Sequence, residues 1–316
     1  MTSFFAISFP YIIIVLWKGF DLIFRKWRLV TPFNENDGTI SHVKKLDVKV
    51  IACDIDATLT TGMNSLSDAN RRAINELMKK GILFGLASGR AYTDLKNYPE
   101  MWRIDQPFDF FIGLNGASLY DETTKEDEVF FMIEREYIKL IVEEIDRLGL
   151  DSHIYVNGIT LFSKASNRFY KILSSKHRDI RVAEDLSDMY KEKTSKILIN
   201  VEDEKMQDMA KHFEPILEKT GHTVRLTRTS PGCMEFVPAK ANKFYALKQY
   251  CQRHGIDMKQ VAAFGDTSND NEMIKGAGIG ICMANGTDDT KALADMISEY
   301  PCNDDGFARF VDKYIL

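Results

Sequence analysis

Residues 48–58, with the sequence VKVIACDIDAT, decide how this chain is organised. Val48–Cys53 is a short, apolar and β-branched run, which is typical of a strand that is buried on both faces. Asp54 and Asp56 follow this strand directly, and residues two apart on an extended chain point the same way. Because open α/β sheets bind ligands at the carboxyl ends of their strands, we expect both carboxylates at such a site. Taken alone, they could equally be turn or capping residues.

The chain on either side of this stretch alternates between strand and helix signals. Ser67 and Asn242 are predicted N-caps, each of which precedes apolar residues at helical spacing. Further buried strands are predicted at Ile82–Ala87, Phe108–Leu114, Val261–Phe264 and Ile279–Cys282. Strands that alternate with helices imply right-handed crossovers and a parallel sheet, so the fold class is α/β.

The middle of the chain follows another pattern, in which hairpins and helices are mixed. In His153–Phe162, the pair Asn157-Gly158 between two β-rich runs predicts a hairpin with a type I′ turn. An amphipathic helix is predicted at Tyr137–Leu148. The simplest architecture is an α/β core interrupted by an α+β domain. We expect an N-terminal extension at 1–42, the core at 43–117 and 233–316, and the inserted domain at 118–232.

Composition excludes several classes of protein. Of the 316 residues, 45% are hydrophobic and 28% are charged, which is the balance of a globular protein with about two domains. The net charge of −5 argues against a nucleic-acid binder, which needs a basic surface. The 5 cysteines are odd in number and form no C-x-x-C pair. They fit free thiols in a reducing compartment better than a disulfide framework or a zinc site, so we expect a cytoplasmic protein.

Two further motifs could bind an anion. Ser88-Gly89-Arg90 follows the second strand, and a hydroxyl, a flexible glycine and a helix start together suit an anion site. Lys243 lies near the start of a helix, where a cation opposes the helix dipole, which suggests another reason for its position. Lys240 is close enough to be a rival. Taken singly, each motif could be structural, as an N-cap or a solvated lysine.

The last motif, Gly265-Asp-Thr-Ser-Asn-Asp270, follows the strand Val261–Phe264. Asp266, Asn269 and Asp270 supply hard oxygen ligands, and oxygen donors without His or Cys suit Mg²⁺. An Asx-rich loop is the structural alternative. All four motifs lie at or beside the carboxyl ends of predicted strands, and four independent structural explanations would be a coincidence. Together they predict one functional site.

The motif order D-x-D-x-T, S-G-R, K-x-x-A-L and G-D-x-x-N-D resembles that of the haloacid dehalogenase superfamily of phosphatases. The chain is most similar to the Cof-type, or subclass IIB, hydrolases. The marks of this subgroup are Leu114–Ala117, Met234–Pro238, Gly265–Met273, Gly278–Asn285 and Asn303–Gly306. The resemblance covers residues 46–316. It implies a Rossmann-like core with a parallel sheet and an inserted α+β cap of the C2B type.

Three positions depart from this pattern. Ala57, Phe244 and Ala284 stand where the family usually has glycine. Alanine is small enough to keep the loop at position 57. Phe244 could narrow the site or pack on the cap. None of the three changes removes a chemical group.

The resemblance implies a Mg²⁺-dependent phosphoric monoester hydrolase that works through an aspartyl-phosphate. Asp54 would be the nucleophile and Asp56 the general acid and base. The metal would be held by Asp54, the backbone carbonyl of Asp56, and Asp266, and Asn269 and Asp270 would orient these ligands. The groups expected to hold the phosphate are Ser88, Gly89, Lys243 and Asn269. Arg90 and Asn115 are expected to touch the substrate.

The substrate class is left open at this stage. A sugar phosphate, a nucleotide or a cofactor-precursor phosphate would fit a mobile cap of this kind, and no residue of the cap stands out as a contact. His153, Tyr155 and Arg228 are polar enough, but each is a common surface or packing residue. The alternative functions are a phosphomutase or phosphotransferase of the same superfamily and a non-catalytic binding protein. The complete motif set argues against the latter.

The N-terminal residues need a separate interpretation. Residues 4–17, FFAISFPYIIIVLW, are apolar, and basic residues follow at 18, 25, 26 and 28. A membrane span needs about 20 apolar residues, and a signal peptide carries its positive charge before the apolar run. Two interpretations are left. The first, which we favour, is a misplaced start, with translation beginning at Val43. The second is an interfacial anchor that gives peripheral attachment to a membrane.

Overall fold

A mixed sheet of eight strands carries the predicted motifs. The structure, a computed structural model, describes residues 45–62, 65–166, 170–171, 179–230 and 232–316. Across the sheet the strands are β14 (Met296–Ile297), β13 (Ile279–Cys282), β12 (Val261–Gly265), β1 (Val50–Cys53), β2 (Leu83–Ala87), β3 (Phe110–Gly113), β4 (Ser118–Asp121) and β5 (Glu126–Val129). The strands from β14 to β3 run parallel, and β4 and β5 extend the sheet by antiparallel pairing. The predicted parallel sheet is therefore confirmed.

A second sheet has six strands. In order they are β10 (Val224–Ser230), β11 (Cys233–Pro238), β9 (Ile197–Asn200), β6 (Ser152–Val156), β7 (Ile159–Phe162) and β8 (Ile180–Val182). Their pairing is antiparallel except between β7 and β8. The hairpin β6–β7 turns at Asn157 and Gly158, whose φ values of 48° and 76° are those that a type I′ turn requires. The predicted hairpin is confirmed.

The helices divide between the two sheets. Ser67 and Asn242 cap their helices as predicted, since their side chains accept hydrogen bonds from the N–H groups of Asn70 and Tyr245. In the described part of the chain, the larger sheet is accompanied by the helices α1 (Asp68–Lys79), α2 (Tyr92–Leu95), α3 (Tyr98–Met101), α6 (Lys243–Arg253), α7 (Asn271–Gly276), α8 (Asp288–Leu293) and α9 (Gly306–Tyr314). The smaller sheet packs against α4 (Arg135–Arg147) and α5 (Met206–Lys219).

Helices cover both faces of β1, which explains why its sequence is uniformly apolar. Ile51 and Cys53 belong to one core, with residues of α1 and α9. Val50 and Ala52 point to the other face and pack with residues of α6. All four side chains are fully buried, as expected for a central parallel strand. A third core, around Phe213, joins the smaller sheet to α4 and α5.

Sheet membership differs from the expected division of the chain at both ends. The strands β4 and β5 pair beside β3 in the larger sheet, although residues 118–129 were expected in the inserted domain. Strand β11 pairs with β9 and β10 in the smaller sheet, although 233–238 were expected in the core. The reason is that a hairpin signal does not specify which sheet edge the hairpin joins.

The remaining expectations concern cysteines and membrane contact. All five cysteines are free thiols, and four of them are buried. Among the helices that the structure describes, none is long and apolar enough to cross a bilayer. The interpretations of residues 1–42 concern a segment that lies outside the described residues.

Candidate functional site

The buried ammonium of Lys243 joins two of the predicted acidic motifs. Asp54 follows β1, Asp270 follows β12, and Lys243 is the first residue of α6. The Lys243 Nζ atom lies 2.6 Å from Oδ1 of Asp54 and 2.6 Å from Oδ1 of Asp270, and its side chain is fully buried. Lys240, the rival lysine, is exposed. The structure therefore brings together the first, third and fourth motifs through Lys243.

Asp266 lies beside this pair and is fixed by its neighbours. Its Oδ1 atom accepts a hydrogen bond of 3.1 Å from the Thr58 hydroxyl, and its N–H donates to Oδ2 of Asp270 at 3.0 Å. Gly265 makes this loop possible, because a Cβ atom there would lie 2.5 Å from the Asp270 side chain. Thr58 was part of the quoted motif, but its role in holding Asp266 was not predicted.

Three buried carboxylates are close enough to share a cation. Asp54, Asp266 and Asp270 each offer one oxygen, and these atoms all lie within 4.8 Å of one another. One ammonium faces the three carboxylates, so two formal negative charges are left uncompensated at this buried position. Oxygen donors and a twofold negative charge fit Mg²⁺ well and suit a soft metal poorly.

The pKa values reflect this crowding. Burial raises the pKa of the Asp54 carboxyl to about 8, and the charges of Asp270 and Asp266 add to the increase, while Lys243 opposes it. Burial and Asp270 likewise raise the pKa of Asp266 to about 6, against the hydrogen bond from Thr58. Burial disfavours the charged form of Lys243, but Asp270 and Asp54 outweigh it and raise its pKa above the ordinary value. A divalent cation here would favour the ionised carboxylates.

Asp56 lies outside the buried cluster. Its side chain is 60% exposed and forms an ion pair of 2.9 Å with Arg90. The residue between the two acids, Ala57, has φ 60°, a left-handed conformation in which glycine is free of strain. Asp56 is not among the three carboxylates that can share a cation, and the expected convergence of Asp54 and Asp56 stays a prediction.

The second motif and Asn115 form a joined pair of loops. The Ser88 carbonyl accepts a hydrogen bond of 3.0 Å from the N–H of Asn115, and the Ser88 hydroxyl accepts one of 3.3 Å from the N–H of Arg90. Asn269 donates from Nδ2 to Oδ1 of Asn115 at 3.4 Å. Ser88 and Asn115 are buried. These residues lie together, as expected, and their contact with a substrate stays a prediction.

Gly116 lets this loop approach the start of α6. It has φ 91°, and a Cβ atom on it would lie 1.9 Å from the carbonyl oxygen of Asn242. Only glycine can occupy this position, because any side chain would displace the residue that caps the helix bearing Lys243. The Leu114–Ala117 motif is thus explained by the close approach of two backbones.

Phe244 contacts the core of the larger sheet. Its ring is partly buried against the cluster that contains residues of α6, and a Cβ atom on Gly276 of α7 would lie 2.4 Å from that ring. This packing gives Phe244 a structural role that was not among the two considered for it. The effect of Phe244 on the width of the site stays a prediction.

A cavity of about 630 Å³ is lined by residues of both sheets. Ala91 and Leu114 line it from the core side, and Tyr155, Asn157 and Ser195 line it from the smaller sheet. As far as the described residues show, none of the acidic cluster lines it. The cavity is lined by the chain neighbours of Arg90 and Asn115 and has the size of a small-molecule pocket.

The three polar residues considered in the inserted domain have different surroundings. Tyr155 lines the cavity, whereas His153 is buried and stacks on Phe162 with ring centroids 4.7 Å apart. Arg228 is exposed and forms an ion pair of 3.2 Å with Asp203. Of these three residues, only Tyr155 is placed to meet a ligand in the cavity.

A buried pair in the smaller sheet was not predicted at all. Lys196 Nζ lies 2.7 Å from Oε1 of Glu235 and donates a hydrogen bond of 3.0 Å to the carbonyl oxygen of Gly89. Through Lys196, the pair therefore links the smaller sheet to the Ser88-Gly89-Arg90 motif. Glu235 lies within the quoted segment Met234–Pro238, which was the one signal that could have identified it.

Comparisons with known proteins agree on one family. A family model described as haloacid dehalogenase-like hydrolase matches residues 51–311. The chain is 28% identical to 5-amino-6-(5-phospho-D-ribitylamino)uracil phosphatase YcsE of Bacillus subtilis, over 86% of this chain and 97% of that protein. The crystal structure of TM0651 from Thermotoga maritima superposes with a TM-score of 0.73 at 25% identity, covering 85% of this chain and 98% of that one. The subclass IIB sugar phosphatase BT4131 gives a TM-score of 0.71 at 20% identity, with coverages of 84% and 98%, and thus shares the fold.

Proposed function

The chain belongs to the haloacid dehalogenase-like hydrolase family and is a phosphatase of that superfamily, and we propose that it hydrolyses small phosphorylated metabolites with Mg²⁺ through an aspartyl-phosphate. The single observation that carries this proposal is the buried contact of Lys243 with Asp54 and Asp270. A buried ion pair adds little to the stability of the fold. A buried cation beside the candidate nucleophile is better explained by neutralisation of the negative charge on a transferring phosphate.

In the first proposed step, Asp54 attacks the phosphorus of the substrate. A bond forms between an Asp54 carboxylate oxygen and phosphorus, and the bond from phosphorus to the leaving oxygen breaks. Asp56 gives its proton to that oxygen, so the leaving group departs as an alcohol. In the present state Asp56 is held by Arg90, and a change of its side-chain rotamer would bring it to the leaving group.

In the second proposed step, water releases the phosphate. Asp56, now ionised, takes a proton from the water, whose oxygen bonds to phosphorus while the bond to Asp54 breaks. Both carboxylates return to their starting states, and phosphate leaves with the oxygen from water. Lys243, the Ser88 hydroxyl and the N–H of Gly89 would hold the phosphate oxygens throughout, with Asn269 at the rim.

The proposed metal ligands are Asp54, the backbone carbonyl of Asp56, and Asp266. Asp270 and Asn269 would orient the loop that carries Asp266, as the bond from Asp266 N–H to Asp270 suggests. A bound Mg²⁺ would offset the negative charge that builds up between carboxylates and phosphate. Arg90 and Asn115 stay proposed substrate contacts.

The inserted α+β domain would select the leaving group. We propose that it comprises the smaller sheet with α4 and α5 and acts as a cap over the motif loops, with the cavity beside it. The name of YcsE specifies a uracil derivative that carries a 5-phospho-D-ribitylamino group, and we propose a phosphate ester of this kind, a cofactor-precursor phosphate, as the first candidate substrate. Sugar phosphates and nucleotides are the other candidates.

A phosphate-release screen tests the proposal. The protein is incubated with a panel of phosphorylated metabolites and p-nitrophenyl phosphate, with Mg²⁺ or after treatment with EDTA. Phosphate release that needs Mg²⁺ and is lost in Asp54→Asn is expected, while the exposed control Asp312→Asn keeps its activity. Equal activity with and without the metal would falsify the proposed mechanism. Transfer of phosphate to a second hydroxyl without release would indicate a mutase or phosphotransferase.

A further inference from the structure

The ion pair of Lys196 and Glu235 is the most deeply buried charged pair outside the acidic cluster, among the residues that the structure describes. Its side chains are only 5% and 6% exposed. A buried ion pair is weak evidence for stability, because removing two charges from water costs about as much as their attraction returns. Such a pair therefore needs another explanation, and its position supplies one.

The pair lies where the smaller sheet meets the phosphate-binding motif. Lys196 precedes β9, and Glu235 lies in β11 of the same sheet. The Lys196 ammonium donates to the carbonyl oxygen of Gly89, the residue between Ser88 and Arg90. Burial disfavours the charged form of Lys196, but Glu235 outweighs it and raises the pKa of the ammonium, so Lys196 carries its charge at neutral pH.

One carboxylate oxygen of Glu235 is not used by the ion pair. Oε1 of Glu235 receives the Lys196 ammonium, while Oε2 is buried and has no hydrogen-bond partner among the described residues. Buried polar atoms nearly always have partners, and an unpaired carboxylate oxygen is especially costly. An acceptor of this kind suits a donor that arrives with a ligand. Tyr155 and Ser195 line the cavity, the Tyr155 ring lies 5.5 Å from Lys196 Nζ, and Ser195 directly precedes Lys196, so the pair lies behind the wall of the cavity.

Resting on the proposed function, we propose that Glu235 is a specificity-determining residue that accepts a hydrogen bond from a hydroxyl group of the leaving alcohol. Lys196 is the positioning residue that holds the carboxylate beside the Gly89 carbonyl. The substrate class is accordingly a phosphate ester of a polyhydroxylated alcohol. An ester of the same length without hydroxyl groups leaves the carboxylate oxygen unpaired in the closed site and is discriminated against.

The test compares ribitol 5-phosphate with pentyl phosphate, which has five carbons but no free hydroxyl. The ratio of their kcat/KM values is measured for the full-length protein and for Glu235→Gln, which turns the unpaired acceptor into a donor while keeping the size of the side chain. We expect the ratio to favour ribitol 5-phosphate by about 10-fold or more and to fall by about 10-fold in the variant. The kcat/KM for pentyl phosphate is expected to change by less than about 3-fold.

A merely structural role of Glu235 would lower both kcat/KM values together and leave their ratio unchanged. Glu202→Gln is the matched control, because Glu202 forms an exposed ion pair with Lys205 in the same part of the chain. If Glu235→Gln fails to fold, Lys196→Met combined with Glu235→Met removes both charges and leaves no unpaired one. The ratio is then measured in that double variant, with the same loss expected.

The outcomes separate this inference from the proposed function. Phosphate release from both esters, with a ratio that neither variant changes, overturns the inference alone and indicates that water satisfies Glu235. A protein that releases phosphate from neither ester nor from any member of the metabolite panel overturns the proposed function and the inference with it. A decrease in the ratio of the two kcat/KM values that occurs only in the Glu235 variants supports both the inference and the proposed function.

Discussion

Lys243 and Asp54 are 189 positions apart in the chain, and their side chains meet in an ion pair of 2.6 Å. The sheet explains this contact, since Asp54 directly follows β1, while Lys243 starts a helix whose cap residue, Asn242, is closely approached by Gly116. The contact places a permanent positive charge beside the candidate nucleophile. Several consequences of this arrangement can be measured.

Replacing Lys243 with Met would leave three carboxylates without their internal cation. We expect kcat/KM to fall by about 100-fold or more, because a charge that faces the transferring phosphate is lost. We also expect the unfolding temperature in EDTA to fall, and Mg²⁺ to raise it more than in the wild type, since the metal then supplies the only compensating charge. Phosphate release and thermal unfolding measure the two effects. Lys240→Met, at the exposed rival lysine, should change neither.

Asp56→Asn should separate the two chemical steps. The p-nitrophenolate group leaves without a proton, so the first step survives in this variant, whereas attack by water loses its base. We expect a rapid burst of about one p-nitrophenolate per active site, followed by turnover that is about 10²–10⁴-fold slower than in the wild type. Stopped-flow absorbance shows the burst. Steady turnover at the wild-type rate would remove Asp56 from the mechanism.

Asp266→Asn should weaken the activation by Mg²⁺ more than it lowers the rate of phosphate release at saturating Mg²⁺. Its carboxylate is one of three within reach of a shared cation, and it is held by Thr58. We expect the Mg²⁺ concentration for half-maximal activity to rise by about 10-fold or more, as for other changes at metal ligands. A magnesium titration of phosphate release measures this shift. Asp288→Asn, at an exposed acid that begins α8, is the control, and an unchanged titration in Asp266→Asn would contradict the proposed ligand set.

The sequence predicted the strands well, and it predicted that the motif residues lie at one edge of the sheet, because both features are determined locally. Val50–Cys53 is apolar at every position since helices cover both faces, and such a run is visible without a structure. The carboxyl ends of parallel strands share one edge, so Asp54, Ser88 and Asp266 had to be close. Neither inference needs knowledge of a long-range contact.

What could not be predicted depends on partners that are distant in the chain. The strands β4 and β5 join the larger sheet because β4 pairs with β3. The sequence pattern of a strand does not show which other strand it will pair with. The ion pair that holds Asp56 joins it to Arg90, which is 34 positions away in the chain. Glu235 and Lys196 are 39 positions apart, and neither segment carries a sequence signal that predicts their ion pair.

Ala57 stands in a left-handed conformation, where a side chain costs about 1–2 kcal/mol. Ala57→Gly should relieve this strain and lose part of the gain to the greater freedom of the unfolded chain. We expect stability that is unchanged or higher by up to about 1 kcal/mol, with activity retained. Ala57→Val, which adds β-branching at positive φ, should lower stability by more than about 1 kcal/mol. Denaturant unfolding of both variants measures the difference, and a stabilised Ala57→Val would contradict the explanation.

His153 makes the smaller sheet sensitive to acid. The ring is buried against Phe162, and burial, with help from the charge of Lys196, lowers the pKa of His153 from 6.5 to about 3. Between these two pH values His153 is protonated in the unfolded chain and neutral in the folded chain. The free energy of unfolding therefore decreases as the pH falls below 6.5. One proton taken up over 1.5 pH units is worth about 2 kcal/mol, which is the loss expected from this residue between pH 7 and pH 5.

His153→Phe should remove that loss, because phenylalanine keeps the aromatic contact and cannot be protonated. The free energy of unfolding is measured by urea at pH 7 and pH 5 for the wild type, for His153→Phe and for His222→Asn. His222 is exposed and has φ 55°, a conformation that asparagine tolerates, so its variant should keep the wild-type dependence on pH. The stability difference between the two pH values should shrink by about 2 kcal/mol in His153→Phe only. An equal dependence in all three proteins would show that His153 takes up its proton without unfolding, and the acid sensitivity would then lie in other groups.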